Sequence, residues 1–396
     1  MRGKTWSALA SIIVMAAVLV PANNAVANHN ATLTVPVGQY METVPGESMR
    51  FFPDEMTVHR GDTLKFMGEF HTATVLPTSV DDPEAWAEQE AATPDDPYAF
   101  LKSNPDNSAF PLKLLGDNPF NPRTDCGSPE NPCAYDGQSV VDSGVLFSYA
   151  EFPEDGPPTF TGFSVTIDEN QGEVIWVICR IHPDMVMKVT VVANNEDTTT
   201  QADIDSYTAD TMADDQAEAE TLHESLSTTH ASHIEDGKRV WEAYSGYDTE
   251  DFSLLAMYPR KLNIRRGDRV EWQFNLTHEA HTVTLSNKKA KRLARRSFAE
   301  VCDPNGDDES GGETPPTSFP PDCDPGVHES LVGGRMINPI GDGVVRSGRD
   351  LENSGVRGMG LSTDPYQARF VKKTTDKGLM YLCAIHPFMR GRVSVK

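Results

Sequence analysis

The strongest constraint on this 396-residue chain is that it is written twice. Pro53 begins Pro-Asp-Glu-Met-Thr-Val-His-Arg-Gly-Asp, ending at Asp62, and Pro259 begins Pro-Arg-Lys-Leu-Asn-Ile-Arg-Arg-Gly-Asp, ending at Asp268. Next come His71-Thr72-Ala73-Thr74 and His281-Thr282-Val283-Thr284, then Ser143-Gly144-Val145 and Ser354-Gly355-Val356. Near each end stands a cysteine motif, Cys179-Arg180-Ile181-His182-Pro183-Asp184-Met185 and Cys383-Ala384-Ile385-His386-Pro387-Phe388-Met389, at a constant offset of 204. Four landmarks in one order identify a tandem duplication, so the chain should fold as two like modules.

The landmarks lie in β-type sequence. Met56-Thr57-Val58-His59 and Thr63-Leu64-Lys65-Phe66 alternate apolar and polar residues around Arg60-Gly61-Asp62. Val174–Ile178 and Met187–Val191 read as strands flanking the first cysteine loop, and Arg390–Val395 as the last strand of the second copy. Each module is expected to be a small antiparallel sandwich of roughly 100 core residues. A loop-rich insertion of about 80 to 90 residues separates the His strand from the Cys strand in each, consistent with 28 prolines and 29 glycines.

Arg2 and Lys4, the apolar stretch Ala8–Val20 and Ala25-Val26-Ala27 form a signal-peptide pattern over residues 1–27. The mature protein is therefore expected to be exported, periplasmic or extracellular, with no integral membrane segment after cleavage and with disulfides permitted. Residues 28–193 form the first module, 194–237 an acidic linker, and 238–396 the second module. The net charge is −25, and the first half carries it: residues 28–201 sum to −20 and residues 238–396 to +3. Such a balance excludes nucleic acid as a partner, because phosphate binding needs a basic surface. The linker, with no Lys or Arg before Lys238, reads as solvated, with a short helix over Ala217–Leu226 as the alternative. Its His223, His230 and His233 read as solvated too.

Each module offers an early histidine, then Cys, His and Met at fixed spacing: His71, Cys179, His182 and Met185, and His281, Cys383, His386 and Met389. A thiolate, two imidazoles and a thioether suit copper, which takes soft sulfur as Cu(I) and imidazole as Cu(II). Zinc has little use for methionine. Met187 competes with Met185, but the repeat aligns Met185 with Met389 and Met187 with Gly391. His278 competes with His281, yet only His281 shares the His-Thr-x-Thr context, so His278 is expected on the surface. Four cysteines remain, Cys126, Cys133, Cys302 and Cys323, and they allow three pairings. Local pairs, Cys126–Cys133 and Cys302–Cys323, fit the duplication. A cluster of six cations over Lys288–Arg296 reads as a solvated helix face, with docking of an acidic surface as its functional alternative.

The ligand motifs resemble those of the cupredoxins, the type 1 blue-copper proteins such as plastocyanin and amicyanin. Cys383–Gly391 is similar to the short amicyanin ligand loop, and Met185–Val191 to the plastocyanin end strand, with Ile181 and Ile385 where proline is common. The resemblance implies an all-β fold of two tandem cupredoxin-like Greek-key β-sandwiches with long loop insertions. It implies two type 1 coppers per chain and transient redox partner proteins. Two-domain copper oxidases and nitrite reductases share this architecture but carry His-x-His pairs and a histidine beside the type 1 cysteine. Here none of the eleven histidines forms such a pair, and Ile178, Arg180, Leu382 and Ala384 flank the cysteines. An electron carrier is therefore expected, with copper delivery as the alternative. The resemblance also implies an exposed edge at each loop histidine, with an apolar partner at His386, beside Pro387 and Phe388, and a cationic one at His182, beside Asp184.

Overall fold

The computed structural model describes residues 30–68, 71–86, 126–144, 146, 162–180, 182, 184–276, 278–286, 288–290, 339–358, 362–386 and 388–396. The signal-peptide pattern, Cys302 and Cys323, most of both insertions and most of the basic cluster lie outside these residues. In the first module the strands are β1 (Thr32–Tyr40), β2 (Gly46–Phe51), β3 (Glu55–Val58), β4 (Thr63–Gly68) and β5 (Thr74–Val75). They continue with β6 (Cys133–Tyr135), β7 (Val141–Asp142), β8 (Phe163–Ile167), β9 (Val174–Ile178) and β10 (Val186–Val191). Helix α1 (Gln201–Thr228) follows. The second module runs through β11 (Ser232–Glu235), β12 (Lys238–Asp248), β13 (Phe252–Tyr258), β14 (Lys261–Ile264), β15 (Arg269–Gln273) and β16 (Ala280–His281). It ends with β17 (Thr284–Leu285), β18 (Val344–Val345), β19 (Glu352–Asn353), β20 (Arg357–Gly358), β21 (Tyr366–Phe370), β22 (Leu379–Leu382) and β23 (Arg390–Val395).

Alternation builds the layers. In β4 every second residue, Leu64, Phe66 and Gly68, is buried, and β10 buries Met187, Val189 and Val191 in the same rhythm. Each module packs a five-stranded sheet, β3-β10-β9-β5-β7 or β14-β23-β22-β17-β19, against its half of one larger sheet. One core lies around Phe51, Phe66 and Phe163, and the other around Trp272, Phe370 and Tyr381. The Arg-Gly-Asp landmarks are the turns between β3 and β4 and between β14 and β15. There Asp62 Oδ2 accepts from His59 N at 2.8 Å and Asp268 Oδ2 from Arg265 N at 2.9 Å. The sheets are mixed, which corrects the antiparallel expectation. The chain crosses from one sheet to the other after β2 and again after β13, so β1 lies parallel to β4 and β12 parallel to β15.

Among the described residues the larger sheet has eleven strands and runs through both modules, because β2 pairs antiparallel with β13. Ser48 faces Phe252, Glu47 faces Ser253, and Gly46 faces Leu254. Glu47 and Ser253 each stand six residues before the landmark prolines, Pro53 and Pro259, so they are the same position of the repeat. The duplicated strands thus pair about a local two-fold axis through Glu47 and Ser253, as in an isologous dimer.

The acidic stretch is not a solvated linker. Most of it is α1, 28 residues opened by a capping box in which Thr200 Oγ1 accepts from Asp203 N and Asp203 accepts from Thr200 N. The helix lies across both modules. Gln201 pairs its amide with the backbone of Thr34, Asp215 accepts from Ser48 Oγ at 2.5 Å, and His223 Nδ1 lies 2.8 Å from the Tyr258 hydroxyl. Ile204 is fully buried in the first core, while Ala219 packs with Phe252, Leu254 and Tyr258 of β13. No helix among the described residues is long and apolar enough to cross a membrane. Ile204→Ala should cost about 2–5 kcal/mol, the usual range for emptying a buried aliphatic site, as a lowered urea midpoint with unchanged slope. An unshifted midpoint would show that the helix only rests on the sheet.

Candidate metal centres

Both cysteine loops join adjacent antiparallel strands, β9 to β10 and β22 to β23, and both are closed by backbone bonds. Cys179 N donates to Met185 O at 3.0 Å and Cys383 N to Met389 O at 3.1 Å. Each early histidine lies on the neighbouring segment, within hydrogen-bond reach of its own loop. The landmark residues make the clamp. Thr72 Oγ1 accepts from Arg180 N and Thr282 Oγ1 from Ala384 N, both at 2.8 Å. Ser143 Oγ accepts from Ala73 N and Ser354 Oγ from Val283 N, again both at 2.8 Å. The repeated His-Thr-x-Thr and Ser-Gly segments therefore fix the ligand strand from both sides.

The predicted histidines and cysteines come together. In site 1 the Cys179 sulfur lies 3.8 Å from His71 Nδ1 and 3.8 Å from His182 Nδ1, and the two nitrogens are 2.7 Å apart. In site 2 Cys383 lies 3.7 Å from His281 Nδ1 and 4.0 Å from His386 Nδ1, with 3.0 Å between the nitrogens. The centre of either triangle is about 2 Å from each corner, the length of a metal–imidazole bond. Met185 and Met389, each about 1% exposed, are buried in the same cores as their cysteines. Met187 is a fully buried β10 core residue in line with Val189 and Val191.

Two backbone N–H groups point at each sulfur. Thr72 N and His182 N donate to Cys179 Sγ, both at 3.4 Å, and Thr282 N and His386 N donate to Cys383 Sγ at 3.3 and 3.4 Å. Burial alone would push both thiols up. The hydrogen bonds and charges of the paired histidines overcome it and hold both well below the ordinary thiol value. Burial would likewise lower His182 and His386, but the sulfur and nearby carboxylates raise both, His182 strongly. A buried thiolate between facing ring nitrogens is a donor set completed by a cation. Thiolate with imidazole is the chemistry that copper accepts.

The early histidines need a glycine opposite them. Gly38 and Gly246 sit at bulges of β1 and β12 with φ of +64° and +78°, and a Cβ there would enter the rings of His71 and His281. This pair is also a repeat landmark, Val37-Gly38-Gln39 and Ser245-Gly246-Tyr247, too short for sequence comparison to single out.

The outer ring nitrogens distinguish the sites. His71 Nε2 donates to Glu47 Oε1 at 2.9 Å, with both side chains buried. His281 Nε2 is buried with no hydrogen-bond partner among the described residues, and so is the Ser253 hydroxyl that stands at the Glu47 position. His182 Nε2 lies 3.2 Å from Glu279 Oε1 of the second module, and His386 Nε2 lies 3.8 Å from Glu279 Oε2. Burial would raise the Glu279 carboxyl, but the His182 hydrogen bond and the charges of His182, His386 and His281 hold it far below the carboxylate range. Its repeat counterpart, Glu69, lies outside the described residues.

Two expectations need correction. His182 does not present an edge to a cationic partner: its side chain is 4% exposed and meets Glu279 of the other module, whereas His386 is 22% exposed. His278 is buried rather than on the surface. Its backbone N–H is held by Asp248 Oδ2 at 2.8 Å, and its Nε2 lies 2.9 Å from Thr249 O. Of the two expected crosslinks, Cys126–Cys133 is formed, and Cys302 and Cys323 lie outside the described residues.

Metal binding must displace protons from His182 and His386. Because both are raised, copper affinity should begin to fall on acidification at a higher pH than for an ordinary imidazole of about 6.5, and should recover as pH rises. Competition titrations with a chelator at several pH values would show this, and a flat affinity down to pH 6 would contradict it. Gly38→Ala should disrupt site 1 alone and Gly246→Ala site 2 alone, each read as the loss of one metal equivalent. Retention of both equivalents would mean that the rings can yield.

No family model matches the chain, and no curated protein does either. Among solved structures it is similar to auracyanin A, a blue copper protein of Chloroflexus aurantiacus, at 14% identity and a TM-score of 0.22, over 40% of this chain and 98% of that one. An oxidised amicyanin variant is also 14% identical, with a TM-score of 0.18 over 43% of this chain and 95% of that one. A copper-containing nitrite reductase from Thermus scotoductus is 10% identical, with a TM-score of 0.24 over 93% and 99% of the two chains. These overlaps are loose. The all-β architecture expected from the sequence is seen in the strands of the chain itself.

Proposed function

We propose that the protein is an exported electron carrier holding one copper ion in each module. His71, Cys179 and His182 hold the first and His281, Cys383 and His386 the second, with Met185 and Met389 as weak axial ligands. The observation that carries this reading is the duplicated triangle of one thiol sulfur and two Nδ1 atoms, built on backbone clamped by threonine hydroxyls. Copper bound there supplies one-electron redox chemistry. The protein's part is to keep the donor geometry nearly constant in both oxidation states, which a short loop on a rigid sandwich does.

A carrier is favoured over an enzyme because no His-x-His pair and no histidine beside Cys179 or Cys383 occurs in the chain to hold a second type of copper. The edge through which a partner is met is His386. It is partly exposed, its ring centroid is 5.8 Å from that of Phe388, and Ile385 packs nearby. A small apolar contact of this kind suits transient association with a redox protein.

The copper-loaded protein should show intense thiolate-to-copper visible absorption and a type 1 paramagnetic signal. Cys179→Ser and Cys383→Ser should each remove about half of that absorption, one site in two. Colourless binding would leave a delivery role, and an additional type 2 signal would overturn the carrier in favour of an enzyme.

A further inference from the structure

The interface between the modules breaks the symmetry of the two sites at Glu47. Glu47 and Ser253 are the same position of the repeat, and they face each other across the local two-fold axis. Any residue identical in the two copies would act alike on both sites. Here the first copy offers a carboxylate and the second a hydroxyl. The carboxylate has taken the outer nitrogen of His71 at 2.9 Å, and the outer nitrogen of His281 has no partner among the described residues.

The two sites are also in contact. Glu279 reaches His182 with one oxygen and stands 3.8 Å from His386 with the other, so a single side chain separates the loop histidine of one site from that of its twin. Site 1 is enclosed on this side, and site 2 has the exposed edge.

We propose that Glu47 makes the pair directional: by accepting a hydrogen bond from the outer nitrogen of His71 it holds site 1 at the lower reduction potential, so that an electron shared between the sites rests at site 2. The inference rests on the copper reading above. A carboxylate on the outer N–H of a metal-bound imidazole makes that imidazole a stronger donor. In a buried setting its negative charge also favours the more highly charged, oxidised ion. Glu47 acts on His386 only through space, whereas it is hydrogen-bonded to His71. Transfer is a one-electron exchange in which site 1 is oxidised as site 2 is reduced. The Nε2 proton stays on His71, and no further reactant is needed.

The experiment is a spectroelectrochemical titration of the copper-loaded full chain, with the sites assigned from Cys383→Ser, which leaves site 1, and Cys179→Ser, which leaves site 2. Site 1 should have the lower midpoint. In protein reduced by one electron, reduced site 2 should exceed reduced site 1 by roughly tenfold, the scale of one hydrogen bond to a charged group. Glu47→Gln keeps an acceptor and removes the charge. In the Cys383→Ser background it should raise the site 1 midpoint while its visible spectrum persists. Equal midpoints in the wild type, or a site 1 midpoint unmoved by Glu47→Gln, would overturn the proposal. If Glu47→Gln fails to fold, the wild-type ordering still decides. Absence of type 1 spectra from both single-site variants would sink the copper reading itself, an outcome distinct from two blue sites of equal potential.

Discussion

A thiol buried in a hydrophobic core is ordinarily inert and neutral, and the rest of each module is arranged to make a sulfur anion stable there. Cys179 and Cys383 are 5% and 0% exposed, so their ionisation must be supported from within. Two backbone N–H groups and two imidazoles do this in each module. Backbone donors are the economical choice, because their direction is set by strand pairing and adds no side-chain entropy. The threonine hydroxyls then hold the loop N–H groups and the serine hydroxyls the ligand strand. The donor set is thereby fixed by the same hydrogen bonds that hold the sandwich together.

That dependence explains why the two cysteine–histidine clusters were legible in the sequence. His71-Thr72, Cys179-x-x-His182 and Ser143-Gly144 must each keep a local spacing for the clamp to close, and duplication displays every spacing twice. Strand alternation around Arg60-Gly61-Asp62 was visible for a similar reason, since it is a short-range pattern. The module interface was not visible, because the pairing of β2 with β13 depends on edges more than 200 residues apart. His182 was expected at a surface for the same cause: nothing near it in sequence announces Glu279.

Helix α1 was hidden differently. Only Ile204, Asp215 and Ala219 of its 28 residues are buried, so no apolar stripe marks the face it presents. Much of its attachment is polar: Gln201 on the Thr34 backbone, Tyr207 on Asp54, Asp215 on Ser48 and Arg50, and His223 on Tyr258. Burial would raise the Asp215 carboxyl, and the Ser48 hydroxyl and Arg50 guanidinium only partly oppose that. A polar helix of this kind has the composition of a disordered linker, and only the surface it meets tells the two apart. His278 misled in the same way, as a polar residue whose partners, Asp248 and Thr249, lie about 30 residues away.

The consequence for the two sites is a change of regime. Two modules on a flexible tether would meet at an effective concentration set by tether length, and each meeting would cost the ordering of the tether. Here the ordering is already complete: β2 and β13 share one sheet, and α1 is fastened to both sides of the join. Glu279 can stand between His182 and His386 because its position is fixed by strands, not found by diffusion. A contact of 3.2 Å on one side and 3.8 Å on the other would not survive loose docking. Duplication about a two-fold axis also means that a substitution in one copy at the axis distinguishes two otherwise like sites. Glu47 against Ser253 is such a substitution, and its carboxylate is hydrogen-bonded to the outer nitrogen of His71.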